Sequence, residues 1–141
     1  MTMAPSPLSI LLAEDSPVNQ RIALHMLKKL GYGAQIANNG LEALQAQEHH
    51  PFDLVLMDIQ MPEMDGIEAT RIIRERWRWP EGPAIIVVTS LELELYREKC
   101  LSAGADDIIT KPIRKDELHE AIERNMQDRN IGLGEIEAVP A

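Results

Sequence analysis

Residues 53–57, DLVLM, decide the fold of this chain, because such a nearly continuous apolar run is typical of a strand covered on both faces. Asp58 follows the run directly, and Asp65-Gly66 then opens a stretch with the apolar spacing of a helix. The segment therefore predicts a buried strand, a short loop that starts at an acidic residue, and a helix.

The same alternation of strand and helix runs along the whole chain. The short apolar runs predicted as strands are 8–13, 34–37, 53–57, 84–89 and 107–110. The helices are predicted to begin near Pro17, Gly40, Gly66, Glu92 and Lys115. Five strands alternating with five helices predict a single α/β domain, with a mostly parallel sheet and helices on both of its faces.

The first helix has clear end signals. Ser16 is a candidate N-cap before Pro17, and Gly31 follows the last apolar residue. The predicted apolar stripe of this helix is Val18, Ile22, Met26, Leu27 and Leu30.

The composition limits the class of protein. The chain has 141 residues, of which 45 % are hydrophobic and 26 % charged, as in an ordinary globular domain. No apolar run approaches the roughly 20 residues of a membrane span, and the first residues do not have the pattern of a secretory signal. A single cysteine excludes an internal disulfide, so a cytoplasmic location is expected. The net charge of −9 opposes binding to nucleic acid or to anionic lipid.

Polar residues follow or end most of the predicted strands. They are Glu14, Asp15, Asp58, Thr89, Ser90 and Lys111. Ligands of open α/β sheets bind beyond the carboxyl ends of the strands, so these side chains are expected to gather at one edge. Three clustered carboxylates repel one another unless one is protonated or a cation lies among them. Oxygen ligands without His or Cys select Mg²⁺, Mn²⁺ or Ca²⁺ over zinc, and open metal positions favour Mg²⁺ that awaits a phosphate.

These residue types together predict Mg²⁺-dependent phosphoryl chemistry. Lys111 supplies a positive charge for a phosphoryl oxygen, and Thr89 supplies a hydroxyl donor. A carboxylate can itself be the nucleophile and form an aspartyl phosphate.

Four segments resemble the receiver domain of response regulators in two-component signalling. They are 10-ILLAEDSPVNQ-20, 53-DLVLMDIQMPEMDG-66, 85-IIVVTS-90 and 104-GADDIITKPI-113. In this order and at these spacings they are highly specific. The sequences of the segments 15-DSPVNQ-20 and 97-REKCLSAGADD-107 are most similar to those of receivers of hybrid sensor kinases and phosphorelays.

The resemblance implies a fold and its boundaries. The fold is flavodoxin-like, a doubly wound five-stranded parallel sheet in the strand order 2-1-3-4-5 with five helices. The resemblance covers about residues 8–128. It leaves residues 1–7 as a disordered segment and residues 129–141 as a flexible tail.

The resemblance also implies a metal site. Asp15 would bind Mg²⁺ directly, with Mn²⁺ as the alternative ion, and Glu14 would act through a water molecule. Asp58 and the backbone carbonyl of Gln60 would complete the protein ligands. The family more often has Asp at the position of Glu14, and the longer side chain suits a water-mediated contact.

The phosphoryl chemistry implied by the resemblance centres on Asp58, which would accept the group from a phosphohistidine. Lys111 would pair with Asp58 or with the phosphoryl group, before a cis Lys111-Pro112 bond. Thr89 would turn its hydroxyl toward the phosphoryl group. The domain would catalyse its own phosphorylation and dephosphorylation, without turnover of a separate substrate.

Two positions depart from the common pattern of the family. Ile108 stands where Tyr or Phe often rotates with the threonine, so switching is expected to rely on the loop around Thr89 and Ser90. Leu91 lies at the position that flanks the attacking water during dephosphorylation, and an apolar side chain cannot orient water. Slow self-hydrolysis is therefore expected, and the amide of Gln60, which can hydrogen-bond water, is the feature that would oppose it.

The expected partner is a histidine kinase or a histidine phosphotransfer domain. The family docks such partners at the start of the first helix and after the fifth strand, which here indicates Asn19, Ala23 and Ile113. A homodimer through the face of the fourth helix, fifth strand and fifth helix is the other expected contact. Neither nucleic acid nor a membrane is expected to bind.

Three other functions compete with a phosphoacceptor. A phosphatase of the haloacid-dehalogenase type needs a second Asp two residues after the nucleophile, where this chain has Gln60. A flavin-phosphate protein needs a Ser/Thr/Gly-rich loop where residues 14–20 present carboxylates. A receiver-like scaffold that works without phosphorylation is the remaining alternative.

Overall fold

The computed structural model describes residues 8–61, 64–78, 81–90 and 93–138. Within them, five strands alternate with five helices: β1 (Ile10–Ala13), α1 (Pro17–Lys29), β2 (Gln35–Ala37), α2 (Gly40–His49), β3 (Leu54–Asp58), α3 (Gly66–Arg76), β4 (Ala84–Thr89), α4 (Leu93–Ala103), β5 (Asp107–Thr110) and α5 (Lys115–Ala138). All neighbouring strands pair in parallel, in the order β2-β1-β3-β4-β5. The predicted fold class and strand order are confirmed.

Short polar side chains and glycines set the helix ends. Ser16, Asn39 and Asp65 precede α1, α2 and α3, and each accepts a hydrogen bond from the backbone N–H three residues further on. Gly31 and Gly104 follow α1 and α4 with φ angles of +95° and +112°, a region that favours glycine. The end signals of the sequence therefore correspond to real caps.

Successive residues of each central strand face two different cores. Along β3, Val55 and Met57 pack with residues of α2, α3 and α4, whereas Leu54 and Leu56 pack with residues of α1 and α5. All four side chains are fully buried. Burial on both faces explains why the strand has no polar alternation in its sequence.

The apolar stripe predicted for α1 is wrong at two positions. Val18 is 63 % exposed and Ile22 is 46 % exposed, whereas Ala23 and Leu27 are the buried residues of this helix. The stripe identified the apolar residues of the helix but not the subset that meets the sheet. Val18 and Ile22 are therefore available at the surface.

The last helix is longer than the sequence predicts. Its backbone stays helical to Ala138, well past Asp128, where the packed domain is predicted to end. Asn125 is the last buried residue among the described side chains, so a domain boundary near Asp128 stays a prediction. No helix in the described ranges combines the length and the apolar character that crossing a membrane requires.

Arg74 of α3 joins the amino ends of β4 and β5. Its guanidinium donates to the carbonyl oxygens of Pro83 at 2.6 Å and Gly104 at 2.7 Å, and it pairs with the carboxylate of Asp106. Asp106 also accepts the backbone N–H of Ile85 at 2.8 Å. Burial lowers the pKa of Arg74, and the nearby Asp106 carboxylate opposes this effect.

Gly66 brings the start of α3 against the end of β3. A Cβ atom at this position would lie 2.1 Å from the carbonyl oxygen of Asp58, which is far inside van der Waals contact. The Gly66 N–H donates to the carbonyl oxygen of Ile59 at 2.8 Å. The start of α3 therefore lies tightly against the end of β3, beside Asp58.

We expect Gly66→Ala to lower the free energy of unfolding by about 1–3 kcal/mol, because the added methyl group collides with the backbone of Asp58 and Ile59. Gly33→Ala is the control, since a Cβ there would have no neighbour within 4 Å. Urea titrations of the two variants and the wild type measure the difference. Equal stability of both variants would contradict the close packing at Gly66.

Candidate functional site

The parallel register brings the predicted polar residues to one edge of the sheet. Ala13 of β1 is level with Met57 of β3, and Thr89 of β4 is level with Thr110 of β5. The residues at the ends of these strands, or directly after them, therefore emerge together at the carboxyl ends of the strands. They are Glu14, Asp58, Thr89 and Lys111, with Asp15 and Ser90 next to them.

The ammonium of Lys111 lies between two buried carboxylates. Its Nζ atom is 3.3 Å from Asp58 Oδ1 and 3.3 Å from Glu14 Oε1. The Lys111 backbone N–H donates to the carbonyl oxygen of Thr89 at 2.8 Å, which joins the ends of β4 and β5. One cation thus neutralises part of the charge of two acids.

Glu14 is held by its backbone and by its carboxylate. Its N–H donates to the carbonyl oxygen of Ala37 at 2.9 Å, and Glu14 Oε2 accepts the backbone N–H of Ser16 at 3.1 Å. The residue is buried, whereas the neighbouring Asp15 is exposed. The two adjacent acids therefore present one fixed and one solvent-facing carboxylate.

Burial, followed by the charge of Glu14, raises the pKa of Asp58 from 3.8 to about 6. The Lys111 ammonium opposes this rise through its charge and a hydrogen bond, and so does the Gln60 N–H, 3.3 Å from Asp58 Oδ1. The cost of removing the carboxylate from water outweighs the help from both donors. Without a further cation, the ionised form of Asp58 is held in an unfavourable environment.

The donor set fits a hard divalent cation. Glu14, Asp15 and Asp58 can each offer a carboxylate oxygen, and these atoms lie within 4.8 Å of one another. All of them are oxygen ligands, which suits Mg²⁺ rather than zinc. A cation at this place would relieve the repulsion by Glu14, which, after burial, is the second cause of the raised pKa of Asp58.

The residues assigned to switching occupy different environments. Thr89 is buried at the end of β4, and Ser90 after it is exposed. Ile108 is partly buried and packs against the core on the side of α2, α3 and α4. Leu91 lies outside the described residues.

A cavity of about 480 Å³ opens beside the site, between α1 and the loop after β5. The acidic site contributes Glu14, Lys111 and Ser90 to its wall, and the rest of the wall is formed by Asn19, Ile22, Met26, Pro112 and Ile113. The cavity thus joins the charged site to an apolar surface.

The cavity corrects one of the predicted docking residues. Asn19 and Ile113 line it, but Ala23 is only 1 % exposed because it packs into the core between α1 and the sheet. Ile22, and not Ala23, is exposed and lines the cavity. The exposed Val18 lies one turn earlier on the same helix. In the sequence, Val18 and Ile22 could have been recognised as surface candidates from their position in the first turns of α1, the part of the helix nearest the site.

Comparisons with known proteins agree with this fold. The chain matches the family model of the response regulator receiver domain over residues 10–123. The probable histidine kinase 1 of Oryza sativa subsp. indica is 34 % identical over a match that covers 82 % of this chain. The chain spans only 15 % of the length of that relative.

Two solved structures are similar. The receiver domain of sensor histidine kinase PA1611 from Pseudomonas aeruginosa PAO1, with a magnesium ion coordinated in its active site cleft, has a TM-score of 0.75 and 38 % identity, covering 84 % of this chain and 97 % of that one. A chain of the Saccharomyces cerevisiae complex between the histidine phosphotransfer protein Ypd1 and the receiver domain of the response regulator Ssk1 has a TM-score of 0.76 and 29 % identity, covering 83 % and 87 %.

The fold, the acidic edge of the sheet and the family match lead to one class of protein. This chain belongs to the response regulator receiver family, and it is a signalling module of the two-component type. The resemblance noted in the sequence is confirmed.

We expect Asp58→Asn to raise the free energy of unfolding in metal-free solution at pH 7–8, by up to about 3 kcal/mol, since a pKa raised from 3.8 to about 6 corresponds to a penalty of that size on the ionised carboxylate. The unfolded chain ionises this group near pH 3.8 and the folded chain near pH 6. The wild type therefore loses stability as the pH rises through this window, and the difference between the two proteins disappears below it.

Denaturant titrations between pH 4 and pH 8 with a chelator present measure this effect. Glu98→Gln, at an exposed position within α4, makes the same change from carboxylate to amide away from the site and should follow the wild type. A difference between Asp58→Asn and the wild type that stays constant over this pH range would contradict the raised pKa.

Proposed function

We propose that this receiver accepts a phosphoryl group from a phosphohistidine onto Asp58 in a Mg²⁺-dependent reaction, and that phosphorylation changes its binding to partners. The observation that carries the proposal is the position of Lys111 Nζ, 3.3 Å from the carboxylates of both Asp58 and Glu14. A buried carboxylate beside a cation is equipped to act as the nucleophile. The same cation can then contact the phosphoryl oxygens that arrive.

The proposed reaction needs little covalent help from the protein. An oxygen of Asp58 attacks phosphorus, and the bond from phosphorus to the donor imidazole breaks with its electron pair on the nitrogen. Lys111 balances negative charge at the reacting group, and the Thr89 hydroxyl donates to a phosphoryl oxygen. Because the donor is already activated, positioning and charge neutralisation supply most of the catalysis.

The metal proposed for this site is Mg²⁺, with Mn²⁺ as the alternative. Asp15 and Asp58 would hold it directly, Glu14 through a water molecule, and Gln60 through its backbone carbonyl. When bound, the ion neutralises the acidic site and the incoming phosphoryl oxygens. The oxygen-only donor set and the magnesium in the PA1611 receiver support this assignment.

In this proposal the domain acts only on its own phosphorylation state and turns over no separate substrate. Ser90, Leu91 and Ile108 are the positions proposed to tune switching and hydrolysis. Ile108 lacks the aromatic ring that would rotate with Thr89, so movement of the loop after β4 is the proposed switch. Self-hydrolysis is proposed to be slow because Leu91 cannot orient water.

The proposed partner is a histidine kinase or a histidine phosphotransfer domain in the cytoplasm. It would dock over the cavity, where Asn19, Ile22 and Ile113 adjoin the acidic site. The similarity to a chain of the Ypd1–Ssk1 complex supports this choice of partner. A homodimer through the face of α4, β5 and α5 is the second proposed contact.

We expect acetyl phosphate or beryllofluoride with Mg²⁺ to form an adduct with the wild type and none with Asp58→Asn, because the nucleophilic oxygen is missing from the amide. Intact-mass spectrometry with and without a chelator measures the phosphoryl adduct. Glu98→Gln should behave as the wild type. A wild type without an Asp58-dependent adduct would leave the phosphorylation-independent scaffold as the function.

We expect Ile22→Lys to slow phosphotransfer from a histidine phosphotransfer domain about tenfold or more, because it places a charge in the apolar docking surface. Acceptance from acetyl phosphate should stay unchanged, since the residue does not touch Asp58. Leu101→Lys is the matched control, because Leu101 is 43 % exposed on α4, away from the cavity. Equal transfer rates in the two variants would contradict docking at α1.

A further inference from the structure

Gln20 links the acidic site to a neighbouring loop that the proposed chemistry does not use. Its side-chain amide nitrogen donates to the backbone carbonyl oxygen of Glu14 at 2.6 Å and to Asn38 Oδ1 at 2.8 Å. Asn38 donates from its backbone and side-chain nitrogens to Glu42 Oε1, at 2.8 Å and 3.1 Å. One chain of hydrogen bonds thus runs from α2, through the loop after β2, to α1 and the loop after β1.

The contact with Glu14 orients the peptide bond that carries both adjacent acids. The carbonyl that Gln20 binds belongs to the peptide between Glu14 and Asp15, so its orientation sets the direction in which the exposed Asp15 side chain leaves the backbone. The N–H of Glu14 is bound to Ala37, and its carboxylate is bound to Ser16. With Gln20 in place, the backbone is held on both sides of Glu14.

We propose that Gln20 is a positioning residue for the metal site, acting through the backbone of Glu14 and held in turn by Asn38. This inference rests on the proposed function, because it concerns the metal ligands of the same site. Loss of the amide donor frees the Glu14–Asp15 peptide to rotate, so the two carboxylates spend less time in a common arrangement. Partners that orient metal ligands typically contribute 10–100-fold to metal affinity.

The direct test is calorimetric titration with Mg²⁺. Gln20→Met keeps the length of the side chain but removes its donor, and it should bind Mg²⁺ about tenfold more weakly than the wild type. Gln35→Met makes the same change at an exposed position at the amino end of β2, whereas the metal site lies at the carboxyl ends of the strands. This variant should bind Mg²⁺ as the wild type does.

A second readout separates positioning from general damage to the fold. In Gln20→Met, the Mg²⁺ concentration at which half of the protein carries the beryllofluoride adduct should rise about tenfold. At saturating Mg²⁺ all of the protein should still form the adduct. Damage to the fold would instead lower the maximal adduct at every Mg²⁺ concentration. Such a lowered maximum, without a shift in the Mg²⁺ dependence, would overturn the proposal.

Asn38→Ala tests the chain of hydrogen bonds at another point. It should also weaken Mg²⁺ binding, and the double variant with Gln20→Met should be no weaker than Gln20→Met alone, because both act through one contact. Equal Mg²⁺ affinity in the wild type and Gln20→Met overturns this inference and leaves the proposed function standing. A wild type that binds no Mg²⁺ overturns the proposed function itself.

Discussion

Glu14 and Asp58 share the ammonium of Lys111, and the chemistry of the site depends on this unequal balance of charge. Burial makes the negative charge of Asp58 costly, and the lysine 3.3 Å from its carboxylate offsets only part of that cost. The same lysine also lies 3.3 Å from the carboxylate of Glu14. Asp15 adds a third acid close by. The site therefore has a surplus of negative charge at the place where an anionic group would react. A divalent cation removes this conflict, which is why the proposed metal and the proposed nucleophile belong to one arrangement.

The sheet fixes the relative positions of these charged side chains. Parallel pairing places the ends of β1, β3, β4 and β5 at one edge, so acids and a lysine that are far apart in sequence become neighbours. Each central strand is covered on both faces, which restricts its sliding and tilting. Gly66 then lets the start of α3 lie directly against the backbone of Asp58. Hydrogen bonds in the loops, including those of Gln20, complete the positioning at residues that no strand holds.

Most of the fold and the centre of the site could be predicted from the sequence, because both follow from local patterns. Continuous apolar runs predicted the strands, and the residues after them predicted the acidic edge. The errors have a different origin. The spacing in α1 showed which residues are apolar but not which of them face the sheet, so the stripe included the exposed Val18 and Ile22. The resemblance to the family indicated the first turns of α1 for docking but not which of their side chains are exposed, so it named the buried Ala23. The role of Gln20 could not be predicted from the sequence, because its hydrogen-bond partner Asn38 becomes a neighbour only when β2 pairs with β1.

The contacts of Arg74 have a consequence for how the two ends of the sheet depend on each other. The guanidinium joins α3 to the amino ends of β4 and β5, whereas the acidic site lies at the carboxyl ends of the strands. The length of the sheet separates Arg74 and its partners from Glu14, Asp58 and Lys111. A change of side chain at Arg74 can therefore alter the stability of the fold at the amino ends while the groups at the carboxyl ends keep their arrangement.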